Sequence, residues 1–261
     1  MTDTVFEVSS LSKSFGGVQA VKDVNFALKR GELLALIGPN GAGKTTCFDI
    51  LNGYQKPDKG SVKLYGKELV GLPPRKIWRM GVGRTFQITQ TFLSMTVMEN
   101  VQMALASHHR RLFGLLSRLR TLYRDEALSL LEMVSLSPQA DRACSELAYG
   151  DLKRLELAIA LASDADLLLM DEPTAGMAPA ERISLMELTA QIVKDRQLSV
   201  IFTEHDMDVV FAHADRIIVL NRGELIAEGS GAEIRENPLV RDVYLGGGAV
   251  FRNDMKEDTF A

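Results

Sequence analysis

Hydrophobic positions along the chain change period several times, and each change predicts an element. Val24, Phe26 and Leu28 alternate with Asp23, Asn25, Ala27 and Lys29. That is the period of two of a half-buried antiparallel strand, ended by the turn at Arg30-Gly31. Leu33-Leu34-Ala35-Leu36-Ile37 is apolar at every position, which predicts a central parallel strand covered on both faces. A glycine-rich turn and a helix follow, with Asn52-Gly53 as a C-terminal stop. Val62 and Leu64 alternate again between Pro57-Asp58-Lys59-Gly60 and Gly66-Lys67, predicting a hairpin. Residues from about 97 to 163, dominated by Ala, Leu, Met, Arg and Glu, read as mostly helical. Residues 167–170 and the β-branched 199–203 predict two further buried strands. Residues 217–220 open a last hairpin that turns at Asn221-Arg222-Gly223. Beyond Gly246-Gly247-Gly248 the chain reads as a polar, flexible tail, with Val243, Tyr244 and Leu245 packing just before it. No repeat of 20–50 residues is visible.

Composition narrows the class. With 261 residues the chain holds one large domain or two small ones, and 46% hydrophobic with 25% charged residues excludes disorder and fibrous repeats. The longest glycine-free apolar run, 157–162, is far short of the ~20 residues of a membrane-spanning helix. The first residues lack the basic start and apolar core of a secretory signal. Cys47 and Cys144 are too few for a disulfide framework, which fits a reducing cytoplasm. A net charge of −4 gives no electrostatic reason to bind nucleic acid.

The candidate chemistry begins with Gly38-Pro39-Asn40-Gly41-Ala42-Gly43-Lys44-Thr45-Thr46, which fits G-x-x-x-x-G-K-[ST]. A buried strand precedes it and a helix follows, the context that phosphate binding requires. Glycines let backbone N–H groups turn inward around an anion, and the helix directs its positive end at the same point. Lys44 can then reach the β- and γ-phosphates of a bound nucleotide, while the Thr45 hydroxyl can ligate Mg²⁺. Cys47, just beyond, reads first as a small buried hydrophobe. The competing reading is a thiol activated by the helix N-terminus and protected from alkylation by nucleotide.

Asp171 and Glu172 close the buried strand that starts at Leu167. Both reach the C-terminal edge of the sheet, where ligands bind in open α/β sheets. Asp171 is the candidate metal ligand, and Glu172 the group that polarises the attacking water. Ahead of them, Glu146-Leu147-Ala148-Tyr149-Gly150-Asp151 opens a helix whose Leu152, Leu155 and Ile159 share one face. The order of these segments resembles the ATP-binding-cassette ATPases over nearly the whole chain. The fold this implies is α/β: a P-loop NTPase core with a mixed, mainly parallel sheet, an N-terminal antiparallel β subdomain and a helical subdomain. As one cassette, residues 1–90 and 165–245 would form the core with its antiparallel subdomain, about 91–164 the helical subdomain, and 246–261 the tail.

By that resemblance Phe15 stacks on adenine. Gln87, in Gly83-Arg84-Thr85-Phe86-Gln87, senses Mg²⁺ and links the subdomains. Leu147-Ala148-Tyr149-Gly150-Asp151 is the signature, Ala175-Gly176-Met177-Ala178 the D-loop, and His205 the switch histidine. Taken singly, Phe15 is core packing, Gln87 a surface amide and His205 a strand-end histidine; their order gives them roles. The signature departs from Leu-Ser-Gly-Gly-Gln at Ala148, Tyr149 and Asp151, and Ala178 replaces the usual Asp or Asn. A donor to the γ-phosphate is lost, leaving the Gly150 N–H and the helix dipole.

The resemblance implies two cassettes packed head to tail, each ATP lying between one chain's cradle and the other's signature. It further implies transmembrane permease subunits as partners, with the chain cytoplasmic and peripheral on the inner face of the membrane. Residues 107–124 carry Arg110, Arg111, Arg118, Arg120 and Arg124 without an acid, over a leucine stripe. They predict a helix that faces headgroups or the partner, or one solvated and packed by its leucines. Together with the Ala-Tyr-Gly signature and the Tyr244-Leu245-Gly246 ending, this resembles the ATPases of branched-chain amino acid importers, which work with a periplasmic receptor. The alternatives are a lipopolysaccharide-export or amide or urea-uptake cassette, a soluble ATPase of DNA repair or translation, and a regulator that does not hydrolyse.

Overall fold

The computed structural model describes residues 3–85, 91–110 and 121–245. Two sheets and a layer of helices make up the fold. Strands β1 (Thr4–Phe15), β2 (Val18–Lys29), β4 (Lys59–Leu64) and β5 (Lys67–Glu68) form an antiparallel sheet in the order β2-β1-β4-β5. The expected alternation in β2 is present, with Val24, Phe26 and Leu28 buried. Val62 and Leu64 lie in β4, which pairs with the short β5 and more extensively with β1. Strand β1 has no clean alternation, because its pairing with β2 shifts register at Thr4/Phe6 and Val8/Leu11. Each such irregularity re-aims the side chains that follow, so Val5 and Phe6 are both buried.

The second sheet contains β3 (Leu33–Ile37), β6 (Val82–Thr85), β7 (Leu167–Asp171), β8 (Ser199–Thr203), β9 (Arg216–Asn221) and β10 (Glu224–Gly229). Their order is β10-β9-β3-β8-β7-β6, parallel throughout except for β10. This mixed, mainly parallel sheet is the one that the apolar runs predict. Leu33, Ala35 and Ile37 belong to the core under the helices, and Leu34 and Leu36 to the core between the two sheets. Leu168 and Met170 against Leu167 and Leu169 repeat that division in β7. Two-sided burial is why these strands read as unbroken hydrophobic runs.

The helices are α1 (Lys44–Leu51), α2 (Pro74–Arg79), α3 (Val97–His108), α4 (Arg124–Met133), α5 (Tyr149–Leu161), α6 (Pro179–Arg196), α7 (Met207–His213), α8 (Gly231–Glu236) and α9 (Pro238–Leu245). Helix α3 starts on a capping box, in which Thr96 Oγ1 accepts from Glu99 N and the Glu99 carboxylate accepts from Thr96 N. It stops at His108, and Arg110 enters the left-handed region at φ 57. Residues 107–110 therefore end a helix rather than continue through the arginine-rich stretch, and 111–120 lie outside the described residues. Tyr244 packs against the helical core, as expected. The 246–261 tail also lies outside the described residues. Among the described residues no helix is long and apolar enough to cross a membrane.

Candidate active site

Strand β3 delivers the chain to the glycine-rich loop at the C-terminal edge of the parallel sheet. Gly38 leaves the strand at φ 155, where a Cβ would stand 2.2 Å from the Leu220 carbonyl oxygen of the adjacent strand. Gly43 precedes α1 at φ 102, where a Cβ would meet the Ala20 carbonyl at 2.2 Å. Only glycine meets both demands, positive φ and backbone contact. The loop is pinned by Ala42 N donating to Pro39 O at 3.1 Å and Gly223 N to Ala42 O at 2.9 Å. No acidic residue lies in the first turn of α1, so its positive end is left for an anion.

Lys44 is buried, and its ammonium donates to Gly38 O at 2.7 Å and Pro39 O at 3.2 Å. Burial lowers its pKa, opposed by the Glu172 and Asp171 carboxylates across the site. A buried cation at the head of α1 fits a polyphosphate. Cys47 is completely buried, and burial pushes its thiol up to about 12. The small-hydrophobe reading holds, and the activated thiol shielded from alkylation by nucleotide does not, because no helix-end effect outweighs desolvation.

Opposite the cradle, three strand ends converge. Parallel pairing of β7 with β8 sets Asp171 beside Thr203. The Thr203 hydroxyl donates to Asp171 Oδ1 at 2.9 Å and accepts from Glu172 N at 3.0 Å. From β6, Arg84 approaches Asp171 Oδ2 at 3.4 Å and Asp49 at 3.2 Å. Glu172 has φ 46, sparsely populated for a residue with a Cβ, and its strain is held by that Thr203 bond. Its Oε1 lies 2.7 Å from His205 Nε2. Gly38, Pro39, Asn40, Glu204, His205 and Tyr244 line one cavity of about 280 Å³, so cradle and histidine face a common space.

Sequence reasoning missed the supports of this edge. Glu204 is buried and accepts from Thr174 N at 2.9 Å, Thr174 Oγ1 at 2.6 Å and His205 N at 3.2 Å, tying the turn after β7 to the turn after β8. Asp206 caps α7 through the N–H groups of Asp208 and Val209 and pairs with Arg182 at 2.8 Å. The available signal was position, since every one follows the last residue of a buried parallel strand or opens the next helix.

Other expected residues fall as follows. Phe15 ends β1 with 45% of its surface exposed, and Lys13 Nζ lies over its ring, 5.3 Å from the centroid. Ala148 precedes α5, and Tyr149, Gly150 and Asp151 form its first turn, Asp151 accepting from Gln139 Nε2 at 2.7 Å. Gln87 lies outside the described residues. For Mg²⁺, the oriented Asp171 carboxylate and the exposed Thr45 hydroxyl are hard oxygen donors that fit the ion. Among the described residues no three His, Cys, Asp or Glu side chains could cage a metal. A magnesium that also takes phosphate oxygens needs no such cage.

Backbone donors and a buried ammonium on one side, with carboxylates and an imidazole on the other, suit phosphoryl transfer from a nucleoside triphosphate. Fold and site together define a P-loop NTPase. A family profile for ABC transporter matches residues 21–175, and one for Branched-chain amino acid ATP-binding cassette transporter matches 224–250. The chain belongs to the ABC transporter family and is an ATP-binding cassette. It is 41% identical over 255 residues to the high-affinity branched-chain amino acid transport ATP-binding protein LivG of Salmonella typhimurium, covering 94% of this chain and 99% of that one. It is 40% identical over 256 residues to BraF of Pseudomonas aeruginosa, covering 94% and 99%. Among solved structures, the ADP conformation of the cassette MJ1267 superposes with a TM-score of 0.82 at 28% identity, covering 94% and 100%. A dimeric post-hydrolysis state of the cassette MJ0796, bound to ADP and Pi, gives 0.72 at 27%, covering 86% and 98%.

Proposed function

We propose that this cassette hydrolyses ATP as half of a head-to-tail pair and drives uptake of branched-chain or related amino acids through separate membrane permeases. The observation that carries this reading is the 41% identity to LivG across almost the full length of both chains, together with the separate C-terminal match over 224–250. It favours the amino-acid branch over export, nucleic-acid and non-hydrolysing alternatives. The partners are a second cassette, of the same or a paralogous chain, the permeases on the inner face of the membrane, and through them a periplasmic binding protein. Residues 1–90 and 165–245 act as the nucleotide-binding body, and about 91–164 as the helical body that carries the signature.

In the mechanism, Phe15 stacks on the adenine. The loop 38–46 surrounds the β- and γ-phosphates with backbone N–H groups, and Lys44 turns its ammonium from the Gly38 and Pro39 carbonyls to the phosphate oxygens. Thr45, Asp171 and Gln87 would hold Mg²⁺, which would supply positive charge against the phosphate oxygens. Glu172 orients the attacking water and draws off its proton, and His205 holds the Glu172 carboxylate in place and faces the γ-phosphate. The partner cassette contributes the Gly150 N–H and the positive end of α5 in trans. A groove of about 410 Å³ lined by Ile77, Trp78, Arg84, Ala104, Ser107 and Ile159 lies where two bodies meet and suits a cytoplasmic loop of a permease.

The test is uptake of radiolabelled leucine, isoleucine and valine into cells carrying the intact system or lacking only this chain. Loss of uptake on deletion and its return with the wild-type chain, but not with Lys44→Ala, are expected. Uptake unaffected by deletion would sink the assignment of cargo.

A further inference from the structure

Tyr149, the residue that departs most from the family signature, makes a contact that the mechanism above does not use. It opens α5, and its hydroxyl donates to the Ala175 carbonyl at 3.2 Å. The acceptor belongs to the turn that begins at the catalytic carboxylate. Ala175 N donates to Glu172 O at 3.1 Å and Met177 N to Thr174 O at 3.1 Å. A single residue, Ala175, therefore joins the Tyr149 hydroxyl to the strained backbone of Glu172.

The tyrosine is braced from both sides. Lys153 Nζ lies 5.6 Å from its ring centroid and pairs at 3.1 Å with Glu156, both side chains almost completely buried. The ring stands over Gly176, whose φ is 78 and where an added Cβ would make ordinary contact with it at 3.6 Å. One residue on, Gly150 faces the Glu181 carboxylate, which accepts from Ala178 N at 3.2 Å. A turn further, Arg154 Nη2 donates to Ser184 Oγ at 2.9 Å. The start of α5 is thus fastened along the turn 172–178 and the first turns of α6.

We infer that Tyr149 is a positioning residue: through Ala175 it holds the turn that carries Glu172, so that the signature end of α5 and the catalytic carboxylate of the same chain are set together. Its consequence rests on the head-to-tail reading, because an α5 that docks on the partner's ATP then adjusts the Glu172 of its own chain. A tyrosine serving only the partner's nucleotide would need no bond to Ala175.

Tyr149→Phe keeps the ring and deletes the donor. Hydrogen–deuterium exchange on the full nucleotide-free chain reads the tie by itself. The Ala175 and Met177 amides should exchange about fivefold faster, the loss of one neutral hydrogen bond, at unchanged melting temperature. Mixed dimers purified on two tags separate the two chains' roles. When Tyr149→Phe pairs with a Glu172→Gln chain, only the substituted chain hydrolyses, and kcat should fall about fivefold with KM for ATP constant, relative to wild type paired with Glu172→Gln. When both substitutions sit on one chain, the loss relative to that reference pair should be smaller than in the first pairing. Unchanged exchange at 175 and 177, or a loss confined to the second pairing, overturns the inference. A reference pair with no hydrolysis means that its Glu172→Gln site holds the dimer shut, and the exchange result then decides the tie by itself.

Discussion

The phosphate cradle and the carboxylate edge face each other across one cavity, yet they are built on opposite plans. The cradle is nine consecutive residues, 38–46, shaped by two glycines at backbone contacts and fastened mainly to itself. The edge is scattered over residues 84, 171–174, 182 and 203–206, and its geometry depends on side chains gripping one another. A local site tolerates change elsewhere but fails wholly when its one cation is lost. A distributed site weakens by steps, because each support sets the position of another group.

The largest effect on nucleotide binding therefore belongs to the cradle. Lys44→Ala removes a desolvated cation that donates two charge-assisted hydrogen bonds. The Kd for ATP should rise by about 100-fold, measured by fluorescent-nucleotide titration, with the fold intact by circular dichroism. Binding within a few-fold of wild type would show that backbone donors alone hold the phosphates.

At the edge, Thr203→Val keeps the shape but leaves Glu172 N and Asp171 Oδ1 without their shared partner. Relaxation of the turn should lower kcat by about tenfold with KM for ATP nearly constant, at a stability cost of about 1–3 kcal/mol for the unmet groups. A raised KM with unchanged kcat would instead put Thr203 in the cradle's service.

The smallest effect lies at the far end of the cradle's strand. Glu32 accepts from Lys29 N at 2.7 Å and from Arg216 Nε at 2.6 Å, clamping the start of β3 to β9. Burial alone would raise its pKa, but the bonds from Arg216 and Lys29 outweigh it and hold the carboxyl below its ordinary 4.5. A depressed pKa gives stability that is complete above the unfolded value and drains as pH falls through the folded one. Thermal unfolding should show that loss below about pH 4.5. Glu32→Gln should cost about 1 kcal/mol at pH 7 and flatten the acid limb. An identical acid limb in the variant would assign the loss to other carboxylates.

The same contrast explains what could be read from the chain in advance. Two-sided strands and the glycine-rich loop declare themselves locally, so β3, β7, β8, the cradle and Asp171-Glu172 were all legible. Strand β1 was not, since its bulges break the alternation that identifies a strand. Thr203 and Glu204 were hidden for another reason. Their work depends on β7 lying beside β8, a pairing between residues more than thirty apart in sequence that no local pattern encodes. The arginine-rich stretch does not run on from α3, because Arg110 turns the chain out of that helix, and its residues 111–120 lie outside the described residues. Cys47 failed as a reactive thiol because complete burial outweighs the helix end.

Glu172 is where the two plans meet, since the proposed mechanism gives binding to the cradle and hydrolysis to the edge. Phosphate release and retained nucleotide, measured together on purified Glu172→Gln, test this division most directly. The account predicts ATP held in a stable dimer while release drops by about 10³-fold or more. Release at the wild-type rate, or loss of ATP from the variant, would contradict it.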